Sequence, residues 1–163
     1  MSQDTADGAG AGRPPVGTRL HSSGRLIPDG LDEALVRTVV ERFYAQVRRD
    51  DVIGPVFNRI IAEEAWPRHL DLITDFWSSM LLGSGRYAGR PMPKHLAISE
   101  LEDRHFVRGL GLFRDTVDAL CPPAAAALFV DRAERVAHSF RIGLAMHRGQ
   151  DSLKVAPMRA GVP

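Results

Sequence analysis

Apolar residues recur at helical spacing along most of the chain, and this periodicity restricts the fold more than any other sequence feature. In LDEALVRTVVERFYAQVRRD, residues 31–50, the apolar positions fall three or four residues apart, with Asp29 before them as a candidate N-cap. No segment alternates apolar and polar residues as a half-buried strand would. The pattern predicts an all-α fold with about four long helices and two or three short ones.

Glycine and proline residues indicate where the first helices begin and end. Gly54-Pro55 predicts a corner after the first helix, and Phe57 begins a short second helical piece. Pro67 suits the first turn of the next helix, where its missing amide hydrogen is not needed, and Gly83 suits the end of that helix.

Two more helices are expected in the second half of the chain. Ser99 and Glu102 are spaced as a capping box, and the helix after them runs to about Leu120. Pro122-Pro123 breaks the chain again, and an alanine-rich apolar segment then continues to His147.

The length of the chain and the composition of its two ends predict one domain between two tails. A chain of 163 residues can bury one substantial core but has little room for two. Residues 1–28 are rich in glycine, proline, serine and aspartate and lack an apolar period, which is typical of a flexible tail. Residues 149–163 look similarly loose, so we expect the domain to span residues 29–148.

Charge, cysteine content and hydropathy exclude several functional classes. The formal net charge of +1 gives no general attraction to nucleic acid or to an anionic membrane. Cys121 is the single cysteine, which excludes an intrachain disulfide and fits a reducing cytoplasm. There is no apolar run of about 18 residues, and the acidic start is not a secretory signal. We expect a cytoplasmic protein, monomeric or weakly dimeric.

Three side chains that could bind a ligand or a cofactor lie on otherwise apolar helical surfaces. Tyr44 is on the inner side of the first helix, and His69 is on the apolar face of a later one. His95 follows the two prolines of RYAGRPMPKHLAIS, which end one helix and fix the direction of the next segment. A neutral imidazole held in this way can coordinate iron.

Each of these side chains also has an ordinary interpretation. A histidine on an apolar face is more often a hydrogen-bonded core residue, and a tyrosine there more often packs in the core. His105 and His138 fit helix surfaces, and the chain contains no zinc-binding His-Glu-x-x-His, no cysteine cluster and no Gly-rich phosphate loop. The residues alone therefore predict an all-α domain that could hold a histidine-ligated cofactor.

Three segments of the chain resemble the group III truncated haemoglobins in sequence and in order. They are ERFYAQVRRDDVIGPVFN, WPRHLDLITDFWSSMLLGSGRYAGRPMPKHL and HFVRGLGLFRDTV. The resemblance covers residues 31–147 and includes a Phe-Tyr pair, a Gly-Pro-x-Phe corner, a Trp-x-x-His helix start and a Pro-x-x-Lys-His segment. It implies a two-over-two helical sandwich around haem b.

The resemblance also implies roles for individual residues. His95 matches the proximal iron ligand, Tyr44 the distal tyrosine that donates to a bound ligand, and His69 a distal histidine that acts as a gate. Phe57 matches a phenylalanine on the haem edge, and Ile73 matches an apolar distal contact. The other residues expected around the porphyrin and its propionates are Phe76, Trp77, Met80, Arg90 and Lys94.

The functions implied by the resemblance differ in whether the protein turns its ligands over. One is redox chemistry on dioxygen, nitric oxide or peroxide, like that of a nitric oxide dioxygenase or a peroxidase, with an unidentified electron donor. Carbon monoxide would be a further ligand of such a site. The alternative is a store or sensor that binds oxygen without turnover. Apart from the resemblance, a helical interaction domain without haem is a further alternative.

Gly109 departs from the family pattern. The family usually carries a distal tryptophan before Leu-x-Leu-Phe, where this chain has Gly109 in HFVRGLGLF. Glycine inside a helix costs about 1 kcal/mol relative to alanine, so helix propensity does not explain it. The loss of an indole removes a hydrogen-bond donor and leaves space. We therefore predict a roomier distal pocket, with transfer of a bulkier group as a third functional alternative.

Overall fold

The computed structural model describes residues 14–89 and 98–161. Within these ranges, a hairpin of β1 (Thr18–Leu20) and β2 (Leu26–Pro28) precedes the helices. The α-helices of the described residues are α1 (Glu33–Val47), α2 (Gly54–Ile60), α3 (Trp66–Leu82), α4 (Asp103–Leu120) and α5 (Pro123–His147). Single 3₁₀ turns lie at Glu63–Ala65 and Ser152–Lys154. The predicted set of four long helices is confirmed.

The four long helices pack as two pairs around one core. Helix α1 packs against α3 and α4, and α5 packs against α4 and α3. The buried residues at the centre of this arrangement are Val36, Val39, Val40, Trp77, Leu81, Leu110, Phe113, Val117 and Phe129. Apolar side chains that recur on one face of each helix are buried together in this way, and the result is the predicted two-over-two globin arrangement.

The ends of the first helices are set by local hydrogen bonds and backbone geometry. Asp32, not Asp29, caps α1, because its carboxylate accepts a hydrogen bond of 2.8 Å from the Leu35 amide. The prediction for Asp29 is wrong because α1 begins only at Glu33. The Asp29 amide instead donates a hydrogen bond to the Gly17 carbonyl at 2.9 Å, next to the hairpin. Pro67 lies in the first turn of α3, and Gly83 ends that helix with φ of 72°, as predicted.

Helix α4 begins with a capping box that differs from the predicted one. Its members are Glu102 and His105, and His105 Nδ1 accepts a hydrogen bond of 3.0 Å from the Glu102 amide. The predicted pair of Ser99 and Glu102 is wrong because Ser99 lies in a turn before the helix, which starts at Asp103. A histidine can serve at the third helical position because its ring nitrogen accepts, as a glutamate oxygen would.

The N-terminal segment from residue 14 contradicts two expectations, that the chain has no strand and that it is flexible up to residue 28. Ile27 is fully buried in the core. The Ser23 hydroxyl donates to the Leu82 carbonyl at 2.5 Å, and Arg25 donates to the Met80 carbonyl at 2.7 Å. The hairpin is therefore bonded to the end of α3. Its strands have three residues each, which is too short for alternation to be recognised.

The C-terminal segment, residues 149–161, is also packed rather than loose. The Ala160 amide donates to Glu134 Oε1 at 2.8 Å, and Arg141 of α5 donates to the Ala156 carbonyl at 2.5 Å. Ala160 itself is buried. The expectation of a loose tail is wrong here because side chains of α5 hold the segment, and no periodicity within the segment signals this.

Asp50 fixes the corner between α1 and α2 that brings Phe57 to the core. Its side chain is 5% exposed and accepts from the Val52 amide at 3.0 Å, the Ile53 amide at 3.1 Å and Arg108 at 2.7 Å. Burial would raise the pKa of this carboxyl, but the Ile53 amide, Arg108 and the Val52 amide together hold the pKa below its usual value. One carboxylate thus connects α1, α2 and α4.

We expect Asp50→Asn to lower stability and to flatten its acid dependence. Because the pKa is lower in the folded chain, the Asp50 contribution is present above the unfolded pKa and is lost as the pH falls through the folded pKa. Denaturant unfolding should give a free energy lower by about 1–3 kcal/mol near neutral pH, and a smaller further loss on acidification than in the wild type. The exposed neighbour Asp51, replaced by asparagine, is the control; a wild-type acid slope in Asp50→Asn would contradict the assignment.

Candidate functional site

Tyr44 lies within a cluster of aromatic side chains from three helices. Its ring centroid is 5.6 Å from that of His69, with the two planes at 89°. It is 5.9 Å from Phe57 and from Trp66, and 5.1 Å from Phe43. Helix α1 supplies Tyr44 and Phe43, α2 supplies Phe57, and α3 supplies Trp66 and His69. The structure therefore brings together three of the predicted site residues, Tyr44, Phe57 and His69.

The start of α3 positions His69. Trp66 and His69 are three residues apart and therefore share a face of the helix, with ring centroids 5.5 Å apart and planes at 88°. Outside Trp66, the Arg48 guanidinium lies 4.7 Å from the indole centroid and donates to Glu63 at 2.5 Å. The buried Trp66 thus contacts Arg48, Tyr44 and His69.

The hydroxyl of Tyr44 is a permanent hydrogen-bond donor at physiological pH. Burial raises the pKa of this phenol far above its usual value, because the surrounding apolar groups disfavour a phenolate. A neutral phenol keeps its proton, so its O–H group can donate a hydrogen bond to an acceptor. His69 Nε2 is buried beside the same cluster.

A row of half-buried apolar side chains continues from His69 along α3. Ile73, Phe76 and Met80 follow at spacings of three or four residues, so they share the side of the helix on which His69 lies. Each packs against the core on one side and remains partly uncovered on the other. Large apolar side chains that are only half covered favour contact with an apolar ligand.

Trp77 has a different environment from its neighbour Phe76. It is buried and stacks on Phe113, with ring centroids 5.0 Å apart and planes at 14°. It also lies 5.5 Å from Phe129. The structure therefore places Trp77 in the core, and its expected contact with a cofactor stays a prediction.

Three predicted site residues lie outside the described part of the chain. They are Arg90, Lys94 and His95, in the segment that also contains the two prolines. The assignment of His95 as an iron ligand and of Arg90 and Lys94 as propionate partners therefore stays a prediction. The described residues include other members of the expected site, Tyr44 and His69 among them.

A concave surface lies between α4 and α5, apart from the aromatic cluster. It is a groove of about 520 Å³, and its lining includes the charged side chains Arg114, Asp118, Asp131, Glu134 and Arg159, together with Cys121. Burial, and to a lesser extent Asp118, raises the pKa of the Cys121 thiol to about 11. A neutral thiol is a poor nucleophile, so the surroundings of Cys121 do not activate it for covalent chemistry.

The contact between Arg48 and Trp66 was not predicted from the sequence. The Trp-x-x-His pattern predicts a helix start at Trp66, and α3 does begin there. No spacing rule, however, links Trp66 to Arg48 across the α1–α2 corner. In the part of the chain that the structure describes, no helix is long and apolar enough to cross a membrane. The same residues contain no group of three or more His, Cys, Asp or Glu side chains that could hold a metal ion.

The fold and the aromatic cluster together define a two-over-two globin, and comparison with known proteins specifies the family. The group 3 truncated hemoglobin ctb of Campylobacter jejuni subsp. jejuni serotype O:2 is 32% identical over 113 residues, which are 68% of this chain and 89% of that protein. A crystal structure of group III truncated hemoglobin from Campylobacter jejuni matches with a TM-score of 0.68 and 31% identity, over 72% of this chain and 94% of that one. No family model matches the chain. The chain belongs to the group III truncated haemoglobins.

Proposed function

We propose that the chain holds haem b through His95 and binds dioxygen and other small ligands on the side of Tyr44 and His69. Membership of a globin family implies a haem protein that binds ligands of the dioxygen type. The observation that carries the proposal is the edge-on contact between Tyr44 and His69, two polar groups within an apolar cluster. Bound haem would supply an iron atom with an open position for a diatomic ligand.

The described residues fit such a cofactor. A porphyrin presents a large apolar face, and the half-buried side chains of Ile73, Phe76 and Met80 offer a matching surface along one side of α3. We assign the haem edge to Phe57, which also contacts Tyr44. The remaining proposed contacts are Trp77 for the ring, and Arg90 and Lys94 for the propionates.

Tyr44 would act by donating a hydrogen bond to the bound ligand. Its phenol is neutral, so the O–H is available at every physiological pH. Dioxygen gains partial negative charge on binding, and a hydrogen bond to a charged acceptor contributes about 1.5–3 kcal/mol. That corresponds to about a 10- to 100-fold slower release, since each 1.4 kcal/mol is a factor of ten. Such a site retains oxygen rather than delivering it quickly.

His69 would control access to the Tyr44 hydroxyl. The imidazole meets both Tyr44 and Trp66 edge-on, so rotation about its side-chain bonds would open or cover the space in front of the phenol. We therefore propose His69 as the gate of the ligand pocket.

Slow release favours redox chemistry on dioxygen, nitric oxide or peroxide over simple storage. Such chemistry needs an electron donor, which we propose to be a separate protein or small reductant in the cytoplasm. The single cysteine agrees with a reducing compartment. We propose a monomer or weak dimer whose globular part includes the hairpin and the C-terminal segment as well as residues 29–148.

Stopped-flow mixing separates turnover from storage. The reduced protein saturated with dioxygen is mixed with nitric oxide, and the ferric protein is mixed with peroxide and a reducing dye. We expect at least one of these reactions to exceed the rate of a storage globin such as myoglobin measured in parallel. Rates no faster than those of the storage globin in both reactions would favour a binding role instead.

A further inference from the structure

The part of the chain that follows α3 is held in place by side chains. Residues 84–89 come directly after Gly83 and are neither helix nor strand. No backbone-to-backbone hydrogen bond joins them to another described residue. Because the backbone hydrogen bonds of helices and sheets normally fix the path of a chain, the position of this segment depends on its side-chain contacts. His95, the proposed iron ligand, follows in the same connection between α3 and α4.

Arg86 connects this segment to two helices at once. Its guanidinium donates to the two carboxylate oxygens of Glu33 at 3.0 and 2.8 Å, and to Asp75 at 2.9 Å. Glu33 lies in the first turn of α1, and Asp75 lies within α3. A guanidinium presents its N–H groups in a rigid planar fork, so these contacts set direction as well as distance. Arg86 thus ties the segment to α1 and α3 together.

The Glu33 carboxylate that accepts from Arg86 is itself fixed from the core side. The fully buried Ser78 donates its hydroxyl to Glu33 Oε1 at 2.7 Å, and the Ser84 hydroxyl lies 2.9 Å from Ser78 Oγ. The hydrogen bond from Arg86, with smaller help from Ser78, holds the pKa of Glu33 below its usual value against the effect of burial. The carboxylate is therefore charged at neutral pH, and the network keeps its geometry.

The anchored segment also contacts the proposed porphyrin surface. The Tyr87 amide donates to Ser79 Oγ at 2.9 Å, and the Tyr87 ring meets Phe76 edge-on, with ring centroids 5.2 Å apart. Phe76 is one of the half-buried side chains of α3 that we assign to the porphyrin. The contacts of Arg86 and Tyr87 therefore place the segment next to the proposed haem site, and the chain continues from there to His95.

We propose that Arg86 is a positioning residue for the iron ligand: its fork to Glu33 and Asp75 fixes where the chain enters the segment that carries His95. This inference rests on the proposed haem function. Arg86 touches neither the iron nor its ligands in this account, and it acts through His95. Loss of a contact that orients a metal ligand typically costs about 10- to 100-fold in metal affinity.

Arg37 provides a matched comparison on the same two helices. It also contacts two carboxylates, donating to Glu41 of its own helix and to Asp71 of α3 at 2.5 Å each. Its side chain is 38% exposed, against 45% for Arg86. Its partners among the described residues do not include residues 84–89. Loss of either arginine removes an ion pair between α1 and α3, but only the loss of Arg86 frees the segment.

Transfer of haem to an excess of apomyoglobin measures how firmly the loaded protein holds its cofactor. The variants are Arg86→Gln, Arg86→Lys and the control Arg37→Gln. We expect Arg86→Gln to release haem at least about tenfold faster than the wild type, and Arg37→Gln to release it at the wild-type rate. Arg86→Lys keeps the charge but not the fork, so its rate should lie between those of the wild type and Arg86→Gln.

Resonance Raman spectra of the reduced protein without added ligand give a readout that a general loss of stability would not move. The iron–histidine stretching band should shift or broaden in Arg86→Gln and keep its wild-type position in Arg37→Gln. Both variants should unfold at close to the wild-type temperature, because exposed ion pairs contribute little to stability.

Two results would overturn the inference while leaving haem binding intact. One is a haem release rate and an iron–histidine band in Arg86→Gln that match the wild type, and the other is an equal change in Arg86→Gln and Arg37→Gln. If Arg86→Gln does not fold, Asp75→Asn and Asp71→Asn make the same comparison, and equal haem release from these two would also overturn it. A wild-type chain that binds no haem would instead overturn the proposed function, and this inference with it.

Discussion

Haem is expected to dissociate from the protein when His95 is replaced by alanine. His95 is the proposed iron ligand, and the described residues of the expected site offer apolar contacts and the polar groups of Tyr44 and His69. Loss of a histidine–iron bond leaves only packing to retain the cofactor. After gel filtration, the ratio of haem absorbance to protein absorbance should fall severalfold below that of the wild type.

The matched control for this experiment is His147→Ala. His147 is the last residue of α5 and is exposed, so its removal should leave haem content unchanged. Imidazole added to the His95→Ala protein should restore part of the haem, because the free ring can occupy the space of the missing side chain. Full retention of haem with an unchanged five-coordinate spectrum in His95→Ala would show that another residue binds the iron.

Release of dioxygen is expected to become about 10- to 100-fold faster when Tyr44 is replaced by phenylalanine, because a charge-assisted hydrogen bond is lost. The ring is retained, so the edge-on contacts to His69, Phe57 and Trp66 can persist. Stopped-flow displacement of dioxygen by carbon monoxide measures this rate.

Tyr87→Phe serves as the control for Tyr44→Phe. Tyr87 is the only other tyrosine, lies after α3 and packs edge-on against Phe76 at 5.2 Å between ring centroids. Its hydroxyl has no part in the proposed hydrogen bond, so the release rate should match the wild type. If Tyr44→Phe leaves release unchanged, His69 or a water molecule must be the main donor.

The helices could be predicted because each long one carries its apolar residues on a single face. The apolar positions of α1 that were recognised in the sequence are buried, as Val36, Val39 and Val40 show. The two ends of α3 could also be predicted, because Pro67 and Gly83 occupy helix-terminal positions that only a few residue types suit. Apolar periodicity and the residue types at helix ends are local properties, so they can be recognised in the sequence itself.

Features that depend on distant contacts could not be predicted in this way. The hairpin strands are too short to show alternation, and the burial of Ile27 depends on the helices beneath it. The C-terminal segment is held by Glu134 and Arg141, whose role is invisible without the packing of α5. Both ends of the chain are rich in glycine, proline and polar residues, a composition that tails and docked segments share.

The candidate site was predicted in part through family resemblance and in part from apolar faces. Tyr44 and His69 were singled out because each lies on an apolar face, and the structure places their rings 5.6 Å apart. The stacking of Arg48 on Trp66 could not be anticipated, because it joins two elements across a corner. The roomier pocket expected at Gly109 stays a prediction, because a β-carbon meets no described atom within 4 Å either there or at Gly111 on the other side of α4.

Absorption spectra of the ferric, ferrous and carbon monoxide-bound protein test the central claim most directly. We expect the purified chain, supplied with haem b, to show a strong Soret band in all three states, with the shift on carbon monoxide binding that a histidine-ligated globin gives. The spectra should change in intensity or position when His95 is replaced and should survive replacement of His147. A chain that takes up no haem, or whose ferrous form does not respond to carbon monoxide, would contradict the account.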